Sequence, residues 1–281
     1  MPKVNVTPEE FKNFAKYILD ISGIALDVGK EYLLETRLNP LISKLGCRSY
    51  HQLLQQAKTD LKKEIENEII DAISTNETYF FRDKSPFELL QHKIFPDLID
   101  KRSQNSFSRP TIRLWSAANS TGQEIYSIAM TLIEMGVTPD KYNIKLFGTD
   151  ISDAAIAQAS YGMYNKFEVA RGLDQHRLAA FFDKQSDERY KIKDNVRVMA
   201  QFKKMNLMKP FVGIGKFDIV LCRNVMIYFT SEDRRRIYSN IAKVMEPDGY
   251  LLIGSTESLV NDTDLFASKK YLNSVFYQFK G

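Results

Sequence analysis

Polar and charged side chains follow four apolar segments in the second half of the chain, at the points where those segments are predicted to end as strands. In parallel α/β sheets, ligands bind beyond the carboxyl ends of the strands. We therefore predict that one ligand lies among these side chains. They are Glu124, Asp150, Asn206, Arg223 and Asn224, and the apolar residues Ala117 and Leu207 at the same strand ends are predicted to contact the ligand with them.

The run 116–122, which precedes Glu124, consists of small residues, so a ligand can approach its backbone. It holds one glycine and therefore lacks the G-x-G-x-x-G fingerprint of a dinucleotide site. The chain also has no P-loop with its lysine, which argues against ATP. A ligand with a smaller polar tail than a diphosphate is favoured.

Asp150 follows that run at the separation, ~20 residues or more, at which such folds place an acid on ribose hydroxyls. Two carboxylates, Glu124 and Asp150, suit a ligand with two ribose hydroxyls and a cationic group. S-adenosylmethionine has these groups and carries an amino-acid tail instead of a diphosphate. The residues therefore favour this cofactor, and the alternative is a tight strand-to-helix turn that binds no ligand.

The composition excludes several classes of function. The chain has 281 residues, of which 44% are hydrophobic and 26% charged, as in a soluble globular protein long enough for two domains. A formal charge of +4, from 39 basic and 35 acidic residues, is small for a nucleic-acid binder. Two cysteines and three scattered histidines give no disulfide framework and predict no metal. No apolar run approaches ~18 residues, so we expect a cytoplasmic protein without membrane insertion.

The first quarter of the chain is predicted to be helical. A capping box with proline, Thr7-Pro8-Glu9-Glu10, begins the first helix, which ends at Gly23. Further helices are predicted at 29–45, 51–57 and 61–73. Four short helices with brief connections predict a small bundle.

From residue 111 onward the patterns of strands and helices alternate, which predicts a parallel sheet covered by helices on both faces. The predicted fold is α/β: a small all-α N-terminal domain followed by a doubly wound, Rossmann-like domain. We predict the domains at 1–74 (helical), 75–110 (inter-domain segment and helix) and 111–281. Strands are predicted at 112–115, 145–150, 197–205, 216–222, 250–254 and 272–279.

Two stretches depart from that rhythm. Residues 183–197 read as a short charged hairpin, which would form an inserted β-subdomain at 183–200 projecting from the domain. Residues 101–110 are polar and rich in helix breakers, so a loop is predicted there.

The segment 74–83 combines polar residues with Tyr79, Phe80 and Phe81 and has no glycine or proline. A simple hinge needs no three adjacent aromatic residues, so this segment is predicted to pack over the second domain.

On the second predicted helix, Lys30, Arg37 and Lys44 are seven residues apart and share one face. One interpretation is a solvated face neutralised by Glu31 and Glu35. The other is a contact surface for an acidic protein partner.

Four motifs together resemble the chemotaxis receptor glutamate O-methyltransferases, the CheR family. They occur in the family's order, and the resemblance extends over nearly the whole chain. The motifs are TNETYFFR at 75–82, SAANSTGQEIYS at 116–127, GTDI at 148–151 and CRNVMIYF at 222–229.

The resemblance implies that S-adenosylmethionine donates a methyl group to receptor glutamates, with S-adenosylhomocysteine as the product. It implies adenosyl contacts for most of the strand-end residues and for Asn76, Thr78 and Arg82. It places Arg82 and Tyr228 where the methyl group and the acceptor meet. The implied partners are the cytoplasmic domains of methyl-accepting chemotaxis receptors, which would recruit a cytoplasmic monomer to membrane receptor arrays.

Three residues depart from the family pattern: Asn119 replaces a common Cys or Ser, Gln123 a common Glu, and Ile125 a common Pro. Members that dock a receptor's C-terminal pentapeptide carry a longer, glycine-rich loop at the projecting hairpin. The short, charged hairpin here resembles the pentapeptide-independent type.

A glutamate acceptor, with a reference pKa of ~4.3, is ionised near neutral pH and needs no general base. Our hypothesis is that Arg82 orients its carboxylate and that Tyr228 holds the reacting groups through its hydroxyl. The alternatives are an Arg82 salt bridge to Asp83 or Glu77, a Tyr228 ring in the core, and an Arg223-Asn224 pair that only caps a turn.

Two other functions remain open from the sequence. A nucleic-acid methyltransferase would carry an Asn/Asp-Pro-Pro-aromatic box after the fourth strand, where this chain has Arg223-Asn-Val-Met. A non-catalytic S-adenosylmethionine-binding adapter for receptors would be expected to lose Arg82, Asp150 or Tyr228, and all three are present.

Overall fold

The computed structural model describes residues 4–104, 109–138, 141–272 and 274–280. The helices, in chain order, are α1 (Pro8–Ser22), α2 (Glu31–Lys44), α3 (Tyr50–Thr59), α4 (Glu64–Ile73), α5 (Ser85–Leu89), α6 (Phe95–Gln104), α7 (Gln123–Glu134), α8 (Asp153–Tyr161), α9 (Lys166–Ala170), α10 (Gln175–Phe181), α11 (Asp194–Arg197) and α12 (Ser231–Lys243). The strands are β1 (Thr111–Ala117), β2 (Asn143–Asp150), β3 (Met163–Tyr164), β4 (Phe182–Lys184), β5 (Tyr190–Ile192), β6 (Ala200–Lys204), β7 (Phe217–Cys222), β8 (Met245–Ile253), β9 (Phe266–Tyr271) and β10 (Ser274–Phe279).

The N-terminal bundle consists of α1 to α4 around its own apolar core, which includes Phe14, Leu38 and Tyr50. The Thr7 capping box is present, and α1 ends at Gly23 in the left-handed conformation, as predicted. The fourth helix begins at Glu64 and not at 61, because Lys63 has a φ of 58° and the Asp60 carboxylate accepts the N–H groups of the first turn.

Seven of the described strands form one sheet in the order β6-β2-β1-β7-β8-β10-β9. The first five are parallel, whereas β10 pairs antiparallel with both β8 and β9. Alternate residues of β7 belong to two different hydrophobic core clusters. Ile219 and Leu221 belong to one cluster, and Val220 and Cys222 belong to the other. The predicted doubly wound α/β fold is confirmed, but the sheet is mixed rather than wholly parallel.

Three further predicted bounds were wrong. Helix α6 continues to Gln104, where a loop was predicted, because Arg102 in its last turn binds Asp218 and Asp248 under the sheet. Strand β8 begins at Met245, five residues before the predicted strand at 250–254, and a register shift between Phe217 and Ile219 of β7 accommodates the extra residues. The third strand begins at Ala200 because 194–197 forms the helical turn α11.

The predicted hairpin is present as β4 and β5, and β3 completes a small separate sheet in the order β3-β5-β4. Strand β3 was missed because two residues give no periodic signal. Phe80 packs edge-on against Tyr164 of β3 and Phe182 of β4, with ring centroids 5.0 and 5.5 Å apart. The aromatic segment therefore packs over the second domain, as predicted.

Candidate functional site

A cleft opens at the carboxyl ends of β1, β2, β6 and β7, between the sheet and the helical bundle. The structure brings nearly every predicted site residue to this cleft. Its lining includes Asn76, Thr78, Arg82, Glu124, Asp150, Asn206, Leu207, Arg223, Asn224 and Tyr228.

Ala117 is the exception, because it does not line the cleft, and its cofactor contact stays a prediction. It is paired within the sheet to Thr149 and Cys222 and is 1% exposed. The chain turns into the cleft one residue later, where Ala118 has a φ of 59°. At the end of this turn Gly122 has a φ of 100°, and a Cβ there would lie 2.9 Å from the Tyr164 hydroxyl, so the position requires glycine.

Asp150 closes the second strand with its carboxylate almost wholly buried. Its Oδ2 accepts the Ser120 N–H at 2.8 Å and its Oδ1 accepts the Ser152 N–H at 3.0 Å. Burial raises the pKa of Asp150 above its usual value, and these two N–H groups oppose that shift. Each oxygen keeps a second lone pair for a ligand hydroxyl.

Glu124 is the second carboxylate of the cleft and begins α7. Its Oε1 accepts the Ser116 hydroxyl at 2.7 Å, and its Oε2 accepts Arg223 Nη1 at 2.7 Å. Arg223 also donates through Nη2 to the Asp83 carboxylate at 3.0 Å. The Arg223 side chain is only 2% exposed, so it lies behind Glu124 and holds it in place, and it does more than cap a turn.

Arg82 lines the cleft from the inter-domain segment. Its Nη1 donates to the Glu77 carbonyl oxygen at 2.6 Å, and its guanidinium lies 5.7 Å from the centre of the Tyr79 ring. The alternative of a side-chain salt bridge is wrong, since the Asp83 carboxylate pairs with Arg223 and the Glu77 carboxylate with Arg171.

Tyr228 ends a short 3₁₀ turn, Met226–Tyr228, after β7. It is half-buried and lines the cleft, so its ring is not sealed in the core. Its carbonyl oxygen accepts the Ala25 N–H at 3.0 Å, which ties this turn to the helical bundle.

Glu257 was missed by the sequence analysis, although it fixes the turn that carries Tyr228. Its Oε2 accepts the N–H groups of Asn224 at 2.8 Å and of Gly254 at 2.7 Å, and its Oε1 accepts that of Met226 at 3.1 Å. An acid four residues beyond the end of β8 was the available signal, because β8 neighbours β7 in the sheet.

Asn206 also has partners within the protein. Its Nδ2 donates to the Ile21 carbonyl oxygen at 2.9 Å and its Oδ1 accepts the Met208 N–H at 2.8 Å. The side chain therefore joins the sheet to α1, whereas the buried Leu207 beside it supplies an apolar wall.

The helical bundle forms part of the cleft, which the sequence did not reveal. Ile24, Leu26, Lys30 and Leu33 line it. The domains meet closely at Gly23, where an added Cβ would lie 2.6 Å from side-chain atoms of Met208 and Phe229.

The interpretation of the basic stripe needs correction. The ion-pair partner of Lys30 is Asp27, at 2.9 Å, and that of Lys44 is Glu68, at 2.6 Å, where Glu31 and Glu35 were expected. Arg37 is half-buried and binds backbone carbonyl oxygens at the end of α4.

The cleft suits a polar, cationic nucleoside such as S-adenosylmethionine. Two carboxylates meet a turn of small residues at a helix start, and Leu207 gives an apolar wall. Two buried polar atoms of the lining, Ser74 Oγ and Asn119 Oδ1, have no hydrogen-bond partner among the described residues. The described part of the chain holds no cluster of potential metal ligands and no helix able to span a membrane.

Comparison with known proteins shows which protein family this chain matches. Residues 9–74 match the family model described as "CheR methyltransferase, all-alpha domain", and residues 76–274 match "CheR methyltransferase, SAM binding domain". A chemotaxis protein methyltransferase of Vibrio parahaemolyticus is 36% identical over the full length of both chains. Chemotaxis protein methyltransferase 1 of Pseudomonas aeruginosa is 35% identical over 96% of this chain and 98% of its own.

Proposed function

This chain belongs to the CheR methyltransferase family and binds S-adenosylmethionine, and from that premise we propose that it methylates glutamate side chains of membrane chemoreceptors. Methylation would convert the receptor glutamate into a glutamate methyl ester, and this modification would contribute to chemotactic adaptation. The two relatives described above are named chemotaxis protein methyltransferases, and their matches cover 100% and 96% of this chain.

The observation that supports this acceptor is the position of Arg82 and Tyr228 in the same cleft as Glu124 and Asp150. A guanidinium fork matches a carboxylate, so Arg82 binds and orients the incoming glutamate. The Glu77 carbonyl and the Tyr79 ring hold that guanidinium in place. We expect Arg82 to contact this carboxylate without binding both of its oxygens fully. The oxygen that reacts therefore keeps a lone pair with which it can attack the methyl group.

The cofactor, when bound, supplies an electrophilic methyl group on a sulfonium and leaves as S-adenosylhomocysteine. Asp150 accepts from the ribose hydroxyls, because its oxygens each have a free lone pair. Glu124, held by Arg223, provides the second negative charge for a cationic ligand.

No residue of the cleft has to remove a proton. A glutamate is ionised near neutral pH, with a reference pKa of about 4.3, so its oxygen attacks the methyl carbon directly. One carboxylate charge and one sulfonium charge disappear together, and the protein need not stabilise a new charge. Positioning is then the main contribution of the protein, and near-attack geometry lowers such barriers by up to about 7–11 kcal/mol.

The test is transfer of labelled methyl groups from S-adenosylmethionine to receptor cytoplasmic fragments. We expect label on glutamate that is released by mild base, as methyl esters are. Alkali-stable label, or label on added nucleic acid in place of receptor, would overturn the proposal. Cofactor binding without any transfer would identify an adapter.

We also propose that receptor docking does not depend on a C-terminal pentapeptide. The hairpin turn between β4 and β5 is short and internally paired, with Lys184 bound to Glu188 at 2.7 Å. Receptor fragments with and without their last five residues should be methylated at equal rates. A faster reaction with the complete fragment would contradict this.

We propose further that the enzyme acts as a cytoplasmic monomer recruited to receptor arrays. The cleft is completed by the chain's own helical bundle and needs no second copy. Light scattering of the purified protein should give the mass of one chain, and a dimer mass would argue against this.

A further inference from the structure

Arg37 is unusual among the basic residues of α2 because its guanidinium binds the protein's own backbone. Its Nη1 donates to the carbonyl oxygens of Ile73 at 2.5 Å and of Ser74 at 3.0 Å. Its Nη2 donates to the Thr75 hydroxyl at 3.1 Å. One side chain thus binds three consecutive residues that are 36 to 38 positions away in sequence.

Those three residues mark the point where α4 becomes the inter-domain segment. The last carbonyl groups of a helix have no partner within the helix, and a cation there also interacts favourably with the helix dipole. Arg37 satisfies these groups and so fixes the direction in which the chain leaves α4.

The chain that leaves α4 is part of the cofactor cleft. Residues 73–79 all line it, and Asn76 and Thr78 are among the predicted cofactor contacts. Asn76 Oδ1 accepts the hydroxyl of Ser120, in the β1–α7 turn, at 3.4 Å. The position of this segment therefore decides whether one side of the cleft has the right shape.

The same end of α4 is also fixed to the sheet domain. Asp71 Oδ1 accepts the Ser152 hydroxyl at 2.7 Å, and Ser152 lies two residues after Asp150. The Asp71–Ser152 contact fixes α4 to the end of β2. The Arg37 contacts then determine where residues 73–75 lie relative to the Asp150 carboxylate.

We propose that Arg37 is a positioning residue for cofactor binding, which holds segment 73–79 in the shape that S-adenosylmethionine requires. Its neighbours on the stripe differ, because Lys44 forms an exposed ion pair with Glu68 and contacts no backbone group of this segment. The proposal rests on the cofactor of the family and not on the identity of the methyl acceptor.

Calorimetry with S-adenosylhomocysteine tests this without a methyl acceptor. If Arg37→Ala lowers the fraction of molecules with a competent segment to about a tenth, the Kd rises about tenfold. Arg37→Lys should recover part of this loss, since one ammonium group can still bind a carbonyl oxygen. Lys44→Ala, on the same face of α2, should bind like the wild type.

A second control separates positioning from general stability. Arg102 also makes several contacts, but they are remote from the cleft. Its partner Asp218 lies four residues before the carboxyl end of β7, and at ~3.3 Å per residue this places Asp218 about 13 Å from that end of the strand. Arg102→Ala should unfold more easily and yet keep the wild-type Kd. If Arg37→Ala, folded by circular dichroism, also keeps that Kd, the proposal is wrong.

Steady-state kinetics give the last distinction. The proposal expects Arg37→Ala to raise the KM for S-adenosylmethionine and to leave the KM for the receptor fragment unchanged. The reverse pattern would show that Arg37 contacts the receptor, and it would overturn the positioning role while leaving the proposed acceptor intact.

Discussion

Arg223 Nη1 donates to Glu124 Oε2 at 2.7 Å, and this contact joins the end of β7 to the start of α7. The Arg223 side chain is 2% exposed and that of Glu124 is 14% exposed. Glu124 therefore faces the cleft and Arg223 supports it from behind. Because Arg223 also binds Asp83, the inter-domain segment is fixed to the same point.

Arg223→Ala should destabilise the protein and weaken cofactor binding together. It leaves two carboxylates without their cation, and breaking a buried ion pair lowers the free energy of unfolding by about 3–5 kcal/mol. We expect the Kd for S-adenosylhomocysteine, measured by calorimetry on folded protein, to rise at least about tenfold. Arg189→Ala is the control, because its pair with Asp187 is exposed and should contribute about 1 kcal/mol or less. Wild-type affinity in Arg223→Ala would show that Glu124 needs no support.

Arg82→Ala should lower kcat for receptor methylation more than it weakens cofactor binding. Misplacement of a reacting group by about 1 Å costs on the order of 100-fold in rate, and that is the loss we expect. Arg171 provides a matched control, since its guanidinium lies 4.2 Å from the centre of the same Tyr79 ring but is half exposed. Arg171→Ala should be close to wild type. A wild-type kcat in Arg82→Ala would remove the orienting role.

The sequence was sufficient to predict the sheet and the polar residues at its strand ends. Asp150 and Glu124 could be singled out because Asp150 ends a predicted strand and Glu124 follows the small-residue turn after another, and parallel strands bring such positions together. The lining of the cleft begins at Ala118 and not at Ala117, since a hydrophobic pattern does not show where the last ladder pair forms.

The supporting contacts could not be predicted, because their partners are remote in sequence. Arg37 binds carbonyl groups 36 and 37 residues away, and a backbone carbonyl leaves no signature in the side-chain sequence. Glu257 acts on a turn 31 to 33 residues earlier, again through backbone N–H groups. The heptad spacing places Arg37 on one face of α2 with Lys30 and Lys44, but it does not show that Arg37 binds the end of α4.

Glu257→Gln should reduce kcat because it loosens the turn that presents Tyr228. An amide has one acceptor oxygen in place of two, so at least one of the three N–H groups loses its partner. We expect a fall of about tenfold in kcat, with the Kd for S-adenosylhomocysteine changed by less than about threefold. Tyr228→Phe should reproduce the kinetic loss if the hydroxyl is what the turn positions. Unchanged kcat in Glu257→Gln would mean that the turn holds without it.

Cofactor affinity should fall at mildly acidic pH because the pKa of Asp150 is raised by burial. Its carboxylate form accepts from ribose hydroxyls, so protonation removes an acceptor as the pH falls through this raised pKa. The loss of affinity should therefore begin at a pH above the usual pKa of an aspartate. Calorimetry with S-adenosylhomocysteine from about pH 8 down to about pH 4, close to the ordinary aspartate pKa, gives the profile. Asp150→Asn should bind more weakly and lack this pH dependence. An identical profile in that variant would assign the proton to another group.

Arg102→Ala should lower the free energy of unfolding without touching the cleft. Arg102 donates to both Asp218 and Asp248, and its removal leaves the almost fully buried Asp218 without its cation. We expect this to lower the free energy of unfolding by about 2–4 kcal/mol. These contacts hold the pKa of Asp248 well below its usual value. Stability from a lowered carboxylate pKa is present above the unfolded value and is lost as pH falls below it, about pH 4.

The same variant gives a pH test of that ion network. Urea unfolding of the wild type and of Arg102→Ala should differ most near neutral pH, and the difference should shrink as the pH falls from about 4 towards 2. Lys44→Ala should show little change at any pH, because its pair with Glu68 is exposed. A constant difference between wild type and Arg102→Ala across this range would mean that Arg102 stabilises the sheet by packing and not through the charges of Asp218 and Asp248.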